Sequence, residues 1–122
     1  MPTGAVLVNE NKAIVYRGRN RVNEIYAPEY QTCSNRLAHA EINVLLQVRQ
    51  TDSDTVSSHV LHTTTEPCVL CFGAIVMSGV RSIRYAASDP VAGGTGLSKS
   101  TNTFILNRNI NIQQAPKILS KV

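Results

Sequence analysis

Long apolar runs are absent from this sequence of 122 residues. Stretches such as VLCFGAIVM are far too short to cross a bilayer, and no charged-then-apolar leader precedes the first strand-like segment, GAVLV. Internal repeats, low-complexity tracts and interdomain linkers are lacking as well. We therefore expect a single domain over residues 1–122 that is cytoplasmic and has no membrane partner.

Cysteine is scarce, with three residues at Cys33, Cys68 and Cys71. An odd number this small does not favour a disulfide framework. C-x-x-C spacing in a cytosolic chain is more typical of metal binding or catalysis. The net charge of +4 favours polyanionic partners only mildly, so charge alone does not identify the partner.

The first third of the chain predicts a β-hairpin and a loop. The segments GAVLV (Gly4–Val8) and AIVY (Ala13–Tyr16) flank the turn-type sequence NENK and predict two paired strands. Residues 20–37 lack periodicity and contain a proline, which predicts a long loop of the kind that often carries function.

The rest of the chain alternates between helix and strand patterns. Apolar residues at helical spacing predict a helix over 38–50, and β-branched residues predict a strand over 59–65. A second helix is expected to begin with Pro67 at its first position and to end at Gly79. Strands are expected again at VRSIRYAA and INIQQ. Helices between strands require crossovers, which predicts an α/β protein with a partly parallel sheet.

The C-x-x-C motif lies at the start of the second predicted helix. Cys68 and Cys71 are three residues apart, so their sulfurs share one helix face, and the positive helix terminus favours thiolates. Adding His39 gives three protein ligands and leaves a fourth position for water, as catalytic zinc requires. Glu41, two residues after His39, would then take a proton from that water.

Two other interpretations of the cysteines remain open. The pair could be a thioredoxin-like redox couple, which would leave His39 and Glu41 without a role. Alternatively, Cys33 could close a structural zinc site as its fourth ligand. The two other histidines, His59 and His62, have odd separation in a predicted strand, so they should point to opposite faces and not chelate one ion.

H-x-E followed by P-C-x-x-C is the signature of zinc-dependent base deaminases. The segments PTGAVLV, GRNR, AHAEINVL and EPCVLCFGAIVMSGV and the Asp89 loop occur in the same order as in that group. From about Pro2 to Gly96 the chain resembles the cytidine-deaminase-like superfamily. Glu66, directly before the cysteine motif, is typical of its branch of tRNA adenosine deaminases and guanine deaminases.

The resemblance implies a three-layer α/β/α fold, in which a mixed central sheet has helices on both faces. It also implies a Zn²⁺ cofactor and hydrolytic removal of the exocyclic amino group of a nucleobase, with Glu41 passing a proton to the departing ammonia. Adenosine in tRNA is the first expectation. The alternatives are a free base, nucleoside or nucleotide (guanine, cytosine or dCMP) and a non-catalytic, zinc-stabilised binding module.

The resemblance further assigns substrate contacts and an assembly. Asn20 and backbone groups around Ala40 would hold the base, and Asp89 would lie near the sugar; as residue types, Asn20 and Asp89 are also common turn formers. Three alternating arginines around Asn20 would either guide phosphates or form a solvated face: Arg17, Arg19 and Arg21. A homodimer is expected, and the terminal helices of relatives are expected to be missing from this chain.

Overall fold

The structure, a computed structural model, describes residues 3–52 and 54–115. In these residues five strands form one mixed sheet in the order β2-β1-β3-β4-β5. The first strand is antiparallel to the second and third, and the third, fourth and fifth strands are parallel. The strands are β1 (Gly4–Val8), β2 (Ile14–Arg19), β3 (Val60–Thr65), β4 (Ser82–Ala87) and β5 (Asn111–Gln114).

Three α-helices connect these strands: α1 (Ala40–Leu45), α2 (Val69–Ser78) and α3 (Thr103–Arg108). The helices α2 and α3 provide the crossovers that parallel pairing requires. Gly79 ends α2 with a φ of 95°, a left-handed conformation that favours glycine. None of the helices in the described residues is long and apolar enough to cross a membrane.

The predicted hairpin is confirmed, and its turn is organised by Asn9. The Asn9 Oδ1 accepts hydrogen bonds from the backbone N–H groups of Asn11 and Ala13, at 3.0 Å each. This side chain replaces backbone partners inside the turn, which is why asparagine suits the position. The loop predicted over residues 20–37 is also confirmed, since it contains no helix or strand.

The prediction of a helix over 38–50 is wrong in length, because α1 ends at Leu45. After Leu46 the backbone hydrogen bonds change from the four-residue spacing of an α-helix to a three-residue spacing. The N–H of Gln47, for example, donates to Val44 O at 3.1 Å. The Gln47 side-chain amide also donates to Asn43 O and to Arg17 O of β2, at 2.8 and 2.7 Å. The side-chain amide of Gln47 thus occupies the Asn43 carbonyl that the next helical backbone hydrogen bond would use, and it holds the end of α1 against β2.

The position predicted for Pro67 is also wrong. Cys68, with an extended backbone, is the N-cap of α2, so Pro67 lies outside the helix. Its carbonyl accepts a hydrogen bond from Gly94 N at 2.7 Å, and this contact joins the segment to the loop after β4. The strand start predicted at His59 is one residue early, because β3 begins at Val60.

One apolar cluster covers one face of the sheet. Leu7, Leu61 and Ile83 are fully buried there against Phe72 and Ile75 of α2. This mixed sheet with its helices confirms the predicted α/β class with a partly parallel sheet.

The opposite face of the sheet exposes His62 and Thr64. The expectation that a C-terminal helix is missing after Ile118 concerns positions outside the described residues.

Candidate active site

The site is built where two helices begin. His39 is the N-cap of α1, and its carbonyl accepts the hydrogen bond of Asn43 N at 3.0 Å. Cys68 is the N-cap of α2, and its carbonyl accepts from Phe72 N at 2.8 Å. Because α1 packs against α2, the two N-caps lie side by side, and Cys71 in the first turn of α2 joins them.

The three side chains converge as metal ligands. The Nδ1 atom of His39 lies 3.5 Å from Cys68 Sγ and 3.4 Å from Cys71 Sγ. In a tetrahedral zinc site with ordinary Zn–N and Zn–S bond lengths, such N···S distances are about 3.5 Å. The donor set and its spacing therefore fit Zn²⁺ and leave a fourth position open, as at catalytic sites.

As a metal ligand, the Cys71 thiol would have to lose its proton. Burial raises the pKa of the Cys71 thiol far above its usual range, and the neighbouring Glu41 and Cys68 raise it further. A buried thiol of this kind ionises only when a positive charge compensates it. A coordinated divalent cation supplies that charge and favours the thiolate.

Glu41 lies in the first turn of α1 with only 8% of its surface exposed. Burial is the main influence and raises the pKa of its carboxyl, while hydrogen bonding and the charge of His39 act in the opposite direction. A carboxyl group with a raised pKa can both accept a proton and return it near neutral pH. Glu41 is thus placed for general acid–base chemistry beside the three ligands.

A cavity of about 180 Å³ opens beside His39, Cys68 and Glu41. Its walls come from β1, from the end of β2, from the threonine-rich end of β3 and from the loop after β4. The other residues that line it are Thr3, Gly4, Asn20, Thr63, Thr64, Thr65, Glu66 and Asp89.

Of the three predicted substrate contacts, Asn20 and Asp89 line this cavity and Ala40 does not. Both lining residues also organise their own turns. The Asn20 Oδ1 accepts from Val22 N at 3.0 Å, and the Asp89 Oδ1 accepts from the N–H groups of Val91 and Ala92, each at 3.0 Å.

Ala40 is buried at the start of α1. A Cβ atom on Gly18 of β2 would lie 2.5 Å from Ala40 O, so this close helix–strand approach requires glycine at position 18. The predicted contact of Ala40 with the base edge stays a prediction.

The geometry weighs against the two alternative interpretations of the cysteines. Cys68 and Cys71 are free thiols, and the Nδ1 atom of His39 lies against both sulfurs, which a metal site requires and a redox couple does not. Cys33 is not part of the ligand cluster; its Sγ atom instead lies 3.8 Å from Ser34 Oγ. His59 and His62 also lie outside the cluster.

Two of the three arginines near Asn20 are occupied by one carboxylate. Arg19 donates two hydrogen bonds to Glu24, at 2.9 and 3.0 Å, and Arg21 donates a third at 2.6 Å. Arg21 also donates to Gln31 at 3.0 Å. These contacts hold the 20–37 loop together and favour a structural role over phosphate guidance for both arginines.

Sequence reasoning missed Asn43, a fully buried polar residue of α1. Its Oδ1 accepts from Thr32 N at 2.8 Å, and its Nδ2 donates to Arg19 O at 3.1 Å. Asn43 therefore ties the 20–37 loop and β2 to the helix that carries His39 and Glu41. The sequence did contain a signal for Asn43, because polar residues recur every four positions on one face of the predicted helix, at His39, Asn43 and Gln47.

A mixed sheet that places a His-Cys-Cys ligand set beside a buried carboxylate defines a zinc-binding α/β domain. The model of the cytidine and deoxycytidylate deaminase zinc-binding region matches residues 1–87. The chain belongs to this family.

Curated relatives include deaminases for different substrates. The chain is 34% identical over 91 residues to a tRNA-specific adenosine deaminase of Rickettsia bellii, covering 73% of the chain and 57% of the relative. It is 31% identical over 88 residues to a "Probable cytosine deaminase" of Schizosaccharomyces pombe, covering 72% and 48%. The chain thus spans about half the length of these relatives.

Solved structures show the same fold. A structure from a study of A-to-I editing by tRNA:A34 deaminases superposes with a TM-score of 0.65 at 26% identity, covering 93% of the chain and 82% of that protein. A guanine deaminase of Nitrosomonas europaea gives a TM-score of 0.69 at 24% identity, covering 98% and 66%, which is a likeness of fold alone.

Proposed function

We propose that this chain is a zinc-dependent hydrolase that removes the exocyclic amino group of a nucleobase. The observation that carries the proposal is the buried Glu41 beside the convergent His39, Cys68 and Cys71, at the wall of an open cavity. A structural zinc site would need a fourth ligand and would have no use for a buried carboxyl. The same observation weighs against a non-catalytic binding module.

The residues divide the chemistry between them. His39, Cys68 and Cys71 would hold Zn²⁺, which supplies a water molecule acidified enough to attack at neutral pH. Glu41 would accept one proton from the water molecule as the water oxygen bonds to the ring carbon. Glu41 then donates the proton to the amino nitrogen as the carbon–nitrogen bond breaks and ammonia leaves.

The cavity walls orient the substrate in this proposal. Asn20 contributes amide hydrogen bonds to the base, backbone groups near Ala40 meet the base edge, and Asp89 faces the sugar. Support comes from the places of Asn20 and Asp89 in the lining of the cavity that contains Glu41. Holding the ring carbon near the attacking water accounts for a large part of the rate in such reactions.

For the substrate, we propose adenosine in tRNA. Several relatives at 30–34% identity are tRNA-specific adenosine deaminases, and Glu66 precedes the cysteine motif as in that branch. A free base is the second candidate. It is favoured by the pairing of Arg19 and Arg21 with Glu24, which leaves fewer cations for an RNA backbone.

An ammonia-release assay on a substrate panel tests both candidates. The panel contains guanine, cytosine, adenosine, dCMP and a tRNA anticodon stem-loop, each with the zinc-loaded chain. We expect turnover of the stem-loop adenosine. Turnover of a free base without turnover of the stem-loop would contradict the tRNA proposal, and no ammonia from any substrate would contradict the deaminase proposal.

A further inference from the structure

One carboxyl group, that of Glu66, contacts both ends of the loop after β4. The Glu66 Oε1 accepts a hydrogen bond from Asp89 N at 3.1 Å, and its Oε2 accepts from Thr95 N at 3.2 Å. The Thr95 hydroxyl donates to the same Oε2. One side chain therefore binds both ends of the segment 89–95, and both of its oxygens are occupied.

The backbone around Glu66 contacts the same segment. Glu66 N donates to Ala87 O and Gly94 N donates to Pro67 O, both at 2.7 Å. Cys68 and Gly93 form an isolated antiparallel bridge. The loop thus lies along the three residues that lead into α2 and end at a metal ligand.

The 89–95 loop lies so close to Glu66 and Cys68 that there is no space for a side chain at Gly93 or Gly94. A Cβ at Gly93 would lie 2.5 Å from Asp89 O and 2.5 Å from the Glu66 Cδ. A Cβ at Gly94 would lie 2.7 Å from Cys68 O. The loop is therefore pressed onto Glu66 and Cys68 with no space to shift inward.

We propose that Glu66 is a positioning residue whose carboxyl group fixes the 89–95 loop so that Asp89 faces the cavity. Both oxygens are already used by loop donors, so Glu66 does not carry the catalytic proton. An amide in its place would turn an N–H group toward a backbone N–H and lose at least one acceptor. The inference rests on the proposed function only in taking Asp89 as a substrate contact.

The test compares Glu66→Gln with the zinc-loaded parent chain by hydrogen exchange, zinc competition and kinetics. We expect the amides of Asp89 and Thr95 to exchange at least about fivefold faster, because their acceptor is weakened. Zinc affinity is expected to stay within about threefold, since the three ligands are placed by their own helices. KM should rise about tenfold with kcat within about threefold, the pattern of lost binding without lost chemistry.

A matched control is Glu29→Gln, the same chemical change at an exposed position, and it should leave all three readouts unchanged. Should Glu66→Gln fail to fold, the isosteric Thr95→Val removes only the hydroxyl donor. It should raise exchange at Asp89 and Thr95 about twofold.

The proposal would be overturned if Glu66→Gln left hydrogen exchange at Asp89 and Thr95 unchanged. The same holds for Thr95→Val if that variant has to be used. Loss of bound zinc in the tested variant would also overturn the proposal. A fall in kcat with unchanged KM would also overturn it, because that pattern indicates a role in the chemical step. Exchange and zinc affinity need no substrate, so they decide about Glu66 even if the deaminase proposal fails.

Discussion

At the residue scale, three side chains of the described chain offer ligand atoms to one metal ion. Cys71→Ser or His39→Ala should remove most of the bound zinc, because either change leaves two protein ligands. Cys33→Ser should retain it, since Cys33 lies outside the cluster. Zinc content after dialysis, measured by atomic absorption, checks this, and loss of zinc from the Cys33 variant would mean that the fourth position is closed.

Some residues of this site could be predicted from the sequence and others could not. The ligands and Glu41 could be predicted because H-x-E and C-x-x-C are local patterns, each of which places its side chains at the start of one helix. The role of Asn43 could not, because its partners Thr32 and Arg19 come from a loop and a strand whose positions depend on the whole fold. The turns of Asn20 and Asp89 were recognisable from residue type.

At the element scale, Asn43 connects α1 to β2 and to the 20–37 loop. Asn43→Leu should leave Thr32 N and Arg19 O without this partner and lower the free energy of unfolding by about 2–4 kcal/mol. Urea denaturation followed by circular dichroism measures the change. The control Asn107→Leu, on the exposed side of α3, should stay within about 0.5 kcal/mol; equal stability of both variants would contradict this role of Asn43.

The ends of elements were the least predictable part of the fold. Apolar periodicity continues past Leu45, but the Gln47 side chain bonds to Asn43 O and to Arg17 O of β2 where α1 ends, a contact that periodicity does not reveal. Likewise, Pro67 has the right chemistry for a first helical position but lies two residues before Val69, the first residue of α2, and its carbonyl accepts a hydrogen bond from the 89–95 loop. The alternation of strands and helices predicted a partly parallel sheet, but it did not predict the order of the strands.

At the scale of the whole molecule, metal binding should be coupled to folding. The three ligands come from chain positions that only the folded state brings together, so zinc binds the native chain in preference to the unfolded one. Adding zinc to the metal-free chain should raise Tm by several degrees, and EDTA should reverse the shift. Calorimetry with and without zinc checks this, with His39→Ala as the insensitive control; equal Tm values would contradict the coupling.

The homodimer expected from the resemblance stays a prediction. Val69 and Met77, on the same side of α2, are 59% and 72% exposed, and a second copy would bury them. Light scattering coupled to gel filtration should give twice the chain mass for the parent. A monomeric mass at micromolar concentration would contradict this expectation. The cytoplasmic location likewise remains a prediction.

The central claim is that Glu41 moves the proton in a zinc-dependent deamination. The most direct measurement is ammonia release by Glu41→Gln, with zinc content determined on the same sample. The account predicts about one zinc ion per chain, as in the parent, and a rate at least about a hundredfold lower on the best substrate of the panel. A Glu41→Gln chain that holds zinc and releases ammonia at the parent rate would contradict it.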